Sequence, residues 1–206
     1  MISSLGEKYM ASRLEVIVGP MFSGKSEELI RILRREVYAK RQVLVIKPSL
    51  DNRTGTTEIA AREIKNGRSV IASRFPAHSV ISLKDFRVLV AERYFHVLAI
   101  EEGQFFRPWI VKAVSELLRS RAHDDLRIIV VGLDLDANLQ RFGSMPALLT
   151  MADDVQKLYA VCFKCGAPAR YTERLGGSGE QIQVGDIGLY EARCRKCHSK
   201  ASLQLG

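Results

Sequence analysis

The sequence predicts an α/β fold built on a mainly parallel sheet, with a small cysteine-bearing unit at the C-terminal end. Three observations carry this. An apolar strand, Leu14 to Val18, runs into a glycine-containing turn and then into a helical pattern. Apolar runs at Val43–Ile46 and Leu126–Leu133 are unbroken, as in strands covered on both faces, and they alternate with helical stretches. After about Asp154 the helical periodicity stops and Gly, Cys and Tyr become more frequent.

Each element has its own signal. Leu29, Leu33 and Val37, with Ile30 beside them, recur at helical spacing behind the first turn. Val43–Ile46 is the second strand, and Pro48 stops it. Residues 49–68 are polar and are expected to form a long functional loop, with a strand over Ser69–Ala72 behind it. Ser82 begins a helix and has Asp85 as capping-box partner, while Leu83, Phe86 and Val90 supply the buried face. His96–Ile100 reads as a strand. Pro108 suits a first helical turn, followed by an apolar stripe of Ile110, Val114, Leu117 and Leu118. The expected division is a loose segment 1–12, an α/β domain 13–154 and a zinc-binding unit 155–206.

Composition narrows the class. The chain has 206 residues, 47% hydrophobic and 26% charged, a globular mixture that excludes disorder and fibrous repeats. Lys and Arg exceed Asp and Glu by 31 to 23, a net +8, which favours polyanionic partners such as nucleotides or nucleic acid. The excess is spread along the chain rather than gathered in a tail. No apolar run approaches the roughly 20 residues that span a bilayer. Residues 1–12 lack the apolar core of a secretory signal. A cytoplasmic protein is expected, without a membrane partner.

Gly19-Pro20-Met21-Phe22-Ser23-Gly24-Lys25-Ser26 matches the P-loop pattern in full. Backbone N–H groups of such a loop cradle phosphates, and the following helix adds its positive end. Lys25 is expected to neutralise the β- and γ-phosphates of ATP, and Ser26 to bind Mg²⁺. The buried strand Val97–Ile100 ends in Glu101 and Glu102. In a P-loop protein this suggests a metal-side acid, Glu101, and then a base, Glu102, that accepts the proton of an attacking hydroxyl or water.

The four cysteines form two Cys-x-x-Cys pairs, Cys162/Cys165 and Cys194/Cys197, with 28 residues between them. Four thiolates at this spacing make a closed, structural Zn²⁺ site. His198 stands next to Cys197 as an alternative fourth ligand. Arg53, in the polar loop, is a candidate for contact with a transferring phosphoryl group. Phe105, Phe106 and Tyr190 are candidates for stacking on a base. His78, His96 and His123 belong to no cluster.

Taken together, the motifs resemble the type II thymidine kinases, the cellular and poxvirus-like family, from about Leu14 to His198. The resemblance rests on the loop at 19–26, Asp51-Asn52-Arg53, Glu102-Gly103-Gln104-Phe105-Phe106 and Gly132-Leu133-Asp134-Leu135-Asp136. It extends through Phe142-Gly143, Lys157-Leu158 with Ala160-Val161-Cys162, and Tyr190 to His198. It implies a RecA-like core and an ATP- and Mg²⁺-dependent kinase acting on the 5′-hydroxyl of thymidine or deoxyuridine. Glu102 would be the general base, with Lys25, Ser26 and Arg53 handling phosphates and metal. Glu101 and Gln104 would join the loop residues 19–26 in the cofactor set. The segment between the cysteine pairs would be a lasso over the nucleoside, with Gly185 and Tyr190 in it. Met21, Phe105 and Leu133 would pack around the base. A homotetramer and inhibition by thymidine triphosphate are also implied.

Four positions depart from the family pattern. Glu101 replaces its usual Asp, Ala137 an aromatic Phe, Tyr159 the Thr near the thymine methyl, and Asp186 a lasso Gly. Ala137 and Tyr159 read as a compensating volume swap or as an altered base pocket. A zinc-ribbon, nucleic-acid-binding P-loop ATPase is the competing function. The chain is short for a two-lobed motor and has no basic–aromatic stripe, so nucleic acid is not an expected partner. A catalytically inactive descendant of the kinase is a third reading, opposed by the retained Lys25, Ser26, Arg53 and Glu102.

Overall fold

The computed structural model describes residues 11–49, 57–65, 68–176 and 188–202. Its centre is a six-stranded sheet of β1 (Arg13–Val18), β2 (Val43–Pro48), β5 (His78–Val80), β6 (Val97–Ile100), β7 (Arg127–Gly132) and β8 (Asp154–Lys157). The order is β5-β2-β6-β7-β1-β8, and every pairing is parallel, with Val16 opposite Val130, Ile100 opposite Val130 and Ile46 opposite Ile100.

The unbroken apolar runs follow from burial on both faces. One face packs against α2 (Leu83–Ala91), α3 (Trp109–Ser120) and α4 (Met145–Met151) through Val16, Ile46, Ile100, Phe86, Ile110 and Leu148. The other packs against α1 (Lys25–Tyr38) and a hairpin through Ile17, Val45, Ala99, Leu29, Leu33 and Ile59. Each fully buried Leu or Ile in these layers contributes about 1.5–3 kcal/mol. The α1 stripe ends one turn early, because Val37 is half exposed. The Ser82–Asp85 capping box forms in both directions, and α3 starts directly after Pro108.

Part of the expected 49–68 loop is strand instead. β3 (Glu58–Lys65) pairs antiparallel with β4 (Arg68–Pro76), which is also longer than the expected 69–72 strand. Ile59 and Ala61 are buried against the α1 layer, which ordinary strand alternation allows although charged residues surround them. The parallel sheet also runs on to Lys157 through β8, beside β1. It thus extends into the segment assigned to the C-terminal unit.

Beyond β8, β9 (Ala160–Val161) pairs with β10 (Pro168–Ala169), and β11 (Tyr171–Arg174) pairs with β12 (Tyr190–Arg193). A short α5 (Ser199–Ser202) follows. Glu173 lies opposite Glu191, and Arg193 binds both carboxylates, offsetting a like-charge pair. An ionic cluster closes the other end of the sheet: Arg127 binds Glu15 and Glu36 at 2.6 and 2.5 Å, and Arg13 binds Glu15 at 2.9 Å. Among the described residues, no helix is long and apolar enough to cross a membrane.

Candidate active site

The loop from Gly19 to Ser26 leaves the C-terminal end of β1 and turns back into α1. The reversal places Gly24 at φ 79°, a left-handed conformation that glycine adopts without a Cβ penalty. Phe22 is also left-handed, at φ 65°, and its ring packs 5.6 Å from that of Phe163. Such a conformation costs a non-glycine residue about 1–2 kcal/mol, so packing must hold it. The backbone N–H of Met21 donates to Thr172 Oγ1 at 2.9 Å. The loop therefore rests on the cysteine-bearing unit through Met21 and Phe22.

Lys25 Nζ donates to the Pro20 carbonyl at 2.7 Å, and Ser23 Oγ does so at 2.8 Å. Both groups lie within the loop, where an anion at the start of α1 would compete for them. Ser26 Oγ donates to Glu101 Oε1 at 2.6 Å. Glu101 is buried, and its N–H continues the sheet ladder to the Ile46 carbonyl. A hydroxyl and a carboxylate are thereby joined beside the lysine, a suitable oxygen set for a hard divalent cation.

Glu102 follows at φ 51°, ψ 47°, ahead of a 3-10 turn over Gly103–Phe105. The left-handed step turns the chain sharply out of β6. Gln104 is buried; its Oε1 accepts the Leu133 N–H at 3.0 Å and its Nε2 donates to Glu102 Oε2. Phe105 and Leu133 are both half-buried beside this link. The Phe105 ring meets Phe142 edge-on at 5.6 Å and lines a cleft of about 430 Å³ with Pro48, Val80, Leu83 and Trp109.

The loop after β7 is shaped by Asp136, whose Oδ1 accepts the N–H groups of Asn138 and Gln140. Asp134 in that loop pairs with Lys157 at 3.3 Å. Ala137 is half-buried there. Tyr159 is 52% exposed, with the Arg170 guanidinium 5.3 Å from its ring centre. Tyr190 is buried at the start of β12. Arg53 and Gly185, together with Asp51, Asn52 and Asp186, lie outside the described residues.

The four Cys Sγ atoms lie within 4.8 Å of one another. Cys165 and Cys194 are 3.7 Å apart, close to the ~3.8 Å edge of a tetrahedron with Zn–S bonds of about 2.3 Å. Burial pushes the Cys162 thiol up, but N–H groups of Cys194, Lys164 and Cys165 overcome this and hold it down to about 6. Cys197 is pushed up to about 12 by its bonds to neighbouring thiols and by burial. The same cluster thus drives Cys162 and Cys197 in opposite directions, a conflict that a bound Zn²⁺ removes. His198 is not arranged as a ligand: its Nδ1 accepts the Lys200 N–H, and its Nε2 bonds the Thr172 carbonyl at 3.3 Å. The donor set suits a structural Zn²⁺ on four cysteines.

The spacing of motifs does not find Thr172, whose partner Met21 lies 151 residues away in sequence. Gln104 stands in a motif, but its link to Leu133, 29 residues on, is marked by no local pattern.

A mainly parallel sheet covered by helices, with a cluster of four cysteines beyond its last strand, defines a mixed α/β protein, and its glycine turn leads into α1, whose Ser26 bonds Glu101 at the end of β6. The family model described as thymidine kinase matches residues 12–198. A thymidine kinase of Deinococcus radiodurans is 42% identical over 204 residues, covering 94% of this chain and 93% of its own. One of Mycoplasma mobile is 39% identical, covering 96% and 92%, and one of Bacteroides fragilis is 35% identical, covering 92% and 88%. The chain belongs to the thymidine kinase family.

Proposed function

We propose that this chain transfers the γ-phosphate of ATP to the 5′-hydroxyl of thymidine, giving the monophosphate for DNA synthesis. The observation that carries the reading is the junction of Ser26, Glu101 and Glu102: a hydroxyl–carboxylate pair at the start of α1, with a second carboxylate on the adjoining residue. ATP supplies the phosphoryl group and Mg²⁺ neutralises its charge. Residues 19–26 bind the phosphates, with Lys25 exchanging the Pro20 carbonyl for phosphate oxygen. Ser26 and Glu101 would hold the metal. Glu102 accepts the 5′-hydroxyl proton. Met21, Phe105, Leu133, Tyr159 and Tyr190 frame the nucleoside, Gly185 contributes from the lasso, and Arg53 assists at the phosphates.

The sheet is taken as a RecA-like core, and the family likeness supports a homotetramer inhibited by thymidine triphosphate. Ala137 and Tyr159 remain the positions on which base preference depends. A methyl group changes discrimination by only about 1–3 kcal/mol, so either outcome, a compensating volume swap or a pocket less suited to the 5-methyl group, leaves the chemistry unaltered.

The test is ADP release from ATP–Mg²⁺ by zinc-loaded protein with thymidine, deoxyuridine, deoxycytidine or no nucleoside. Thymidine-dependent release is expected. Glu102→Gln should lower kcat by roughly 10²–10⁴-fold and leave the KM for ATP nearly unchanged. Release that ignores the nucleoside, or near-full turnover by the variant, would overturn the reading.

A further inference from the structure

We infer that Gln104 is a positioning residue for the catalytic carboxylate, acting through Glu102 rather than on the nucleotide. This rests on the reading of Glu102 as the base. The amide orientation follows from chemistry. A backbone N–H can only donate, so the Gln104 atom that faces the Leu133 N–H at 3.0 Å must be the carbonyl oxygen. The other end of the amide is then NH₂, and it is this group that meets Glu102 Oε2. The end of β7 therefore dictates that the base receives a hydrogen bond. The same bond ties Glu102 to Leu133, a residue expected beside the nucleoside.

Gln104 is closely enclosed by two glycines. A Cβ on Gly132 would stand 2.5 Å from Gln104 Oε1, and one on Gly143 would stand 2.0 Å from the Gln104 carbonyl oxygen. Gly143 is also at φ 52°, so close approach and left-handed backbone coincide there. Gln104 is 3% exposed. A buried amide with both ends engaged has few alternative rotamers, and it fixes the carboxylate it touches. The bond from Nε2 engages Glu102 Oε2, directly after the left-handed step that carries the chain out of β6.

The test uses the full-length, zinc-loaded enzyme. Gln104→Leu removes both amide bonds. Gln104→Glu keeps the size and an acceptor for Leu133 but presents oxygen, not N–H, to Glu102. Each should lower kcat by about 10- to 100-fold, the equivalent of one hydrogen bond to a charged group. The KM for ATP should stay within about twofold. If Gln104→Leu does not fold, Gln104→Glu carries the measurement. Each change is then repeated in the Glu102→Gln background, where a residue that acts only through Glu102 causes no further loss. Wild-type kcat in folded Gln104→Glu, or losses that multiply in full on top of Glu102→Gln, would overturn the inference. Near-full turnover by Glu102→Gln alone would instead remove the base assignment on which it rests.

Discussion

Replacing Thr172 by Val should weaken ATP binding more than it weakens the fold. Thr172 is buried in β11, and its Oγ1 accepts the Met21 N–H at 2.9 Å. Val keeps the shape and removes the acceptor, leaving a backbone donor unsatisfied. Such a loss costs about 1–3 kcal/mol. Two relaxations compete. If the 19–26 loop stays in place, the whole cost falls on global stability, and Tm drops by roughly 2–4 °C per kcal/mol in a chain of this size. If the loop lifts away, Met21 reaches water and the fold is spared, but ATP must then reorder the loop. Lifting sacrifices chiefly the Phe22–Phe163 ring contact, worth about 0.5–1.5 kcal/mol beyond area, whereas the core layers are untouched. Local release is the cheaper route. The expected result is an ATP Kd about tenfold higher, from a penalty of about 1.4 kcal/mol, with Tm within 2–3 °C of the parent. Titration calorimetry with ATP–Mg²⁺ and a thermal melt measure both, and Thr172→Ser, which keeps the hydroxyl, should bind ATP like the parent. A large fall in Tm with unchanged ATP affinity would refute the reasoning.

The ionic cluster at the other end of the sheet predicts an acid response. Burial raises the Glu15 pKa, but Arg127 and then Arg13 overcome this and hold it below its ordinary 4.5. A folded pKa below the unfolded one means that the stability is present above pH 4.5 and is lost as pH falls through the lower folded value. Glu15→Gln should therefore destabilise by about 1–3 kcal/mol at pH 7, and the gap from the parent should close in denaturant melts at successively lower pH; an equal gap at all pH values would contradict the pairing. Removing zinc with a chelator should abolish ATP binding along with the order of the cysteine unit, since Met21 and Phe22 rest on it. Zinc-free protein that binds ATP with unchanged Kd would show that the two are independent.

The parts of this molecule legible in its sequence are those in which neighbours in sequence are also neighbours in space. The strand–glycine turn–helix unit declares itself between Arg13 and Tyr38, and the capping box at Ser82 and each cysteine pair within four residues, because local backbone geometry fixes the spacing. The β3–β4 hairpin was equally local but was obscured. Ile59, Ala60 and Ala61 are its buried residues, but Glu58, Arg62, Glu63 and Lys65 interrupt the apolar ones, and within a polar stretch the segment reads as loop. Its signal lies elsewhere, in Asn66-Gly67 between the paired Lys65 and Arg68, the pair of residues that two-residue hairpin turns favour. The helical spacing that promised a buried Val37 failed for a related reason. Periodicity gives the direction of a side chain, whereas burial needs a partner there, and α1 has outrun the sheet by its last turn.

The site divides along the same line. Lys25, Ser26 and Glu102 follow from motifs, but what orients them does not. Ser26 meets Glu101 across 75 residues, and Met21 meets Thr172 across 151. These links join residues brought together by strand order, β6 and β1 on either side of β7 and β11 beneath the loop. A threonine or glutamine contributes to such a site only once the fold has supplied its partner, and its one-letter identity is the same whether it is solvated or buried. Chemistry that depends on charge and on chain reversal was therefore readable, while the contacts that make the charge point in a single direction emerge only with the tertiary structure. This is also why positions such as Gln104 and Thr172 are better probes of the mechanism than further changes at Lys25. Removing the lysine asks whether phosphate is bound, whereas changing Thr172 or Gln104 asks how Met21 and Glu102 are held ready.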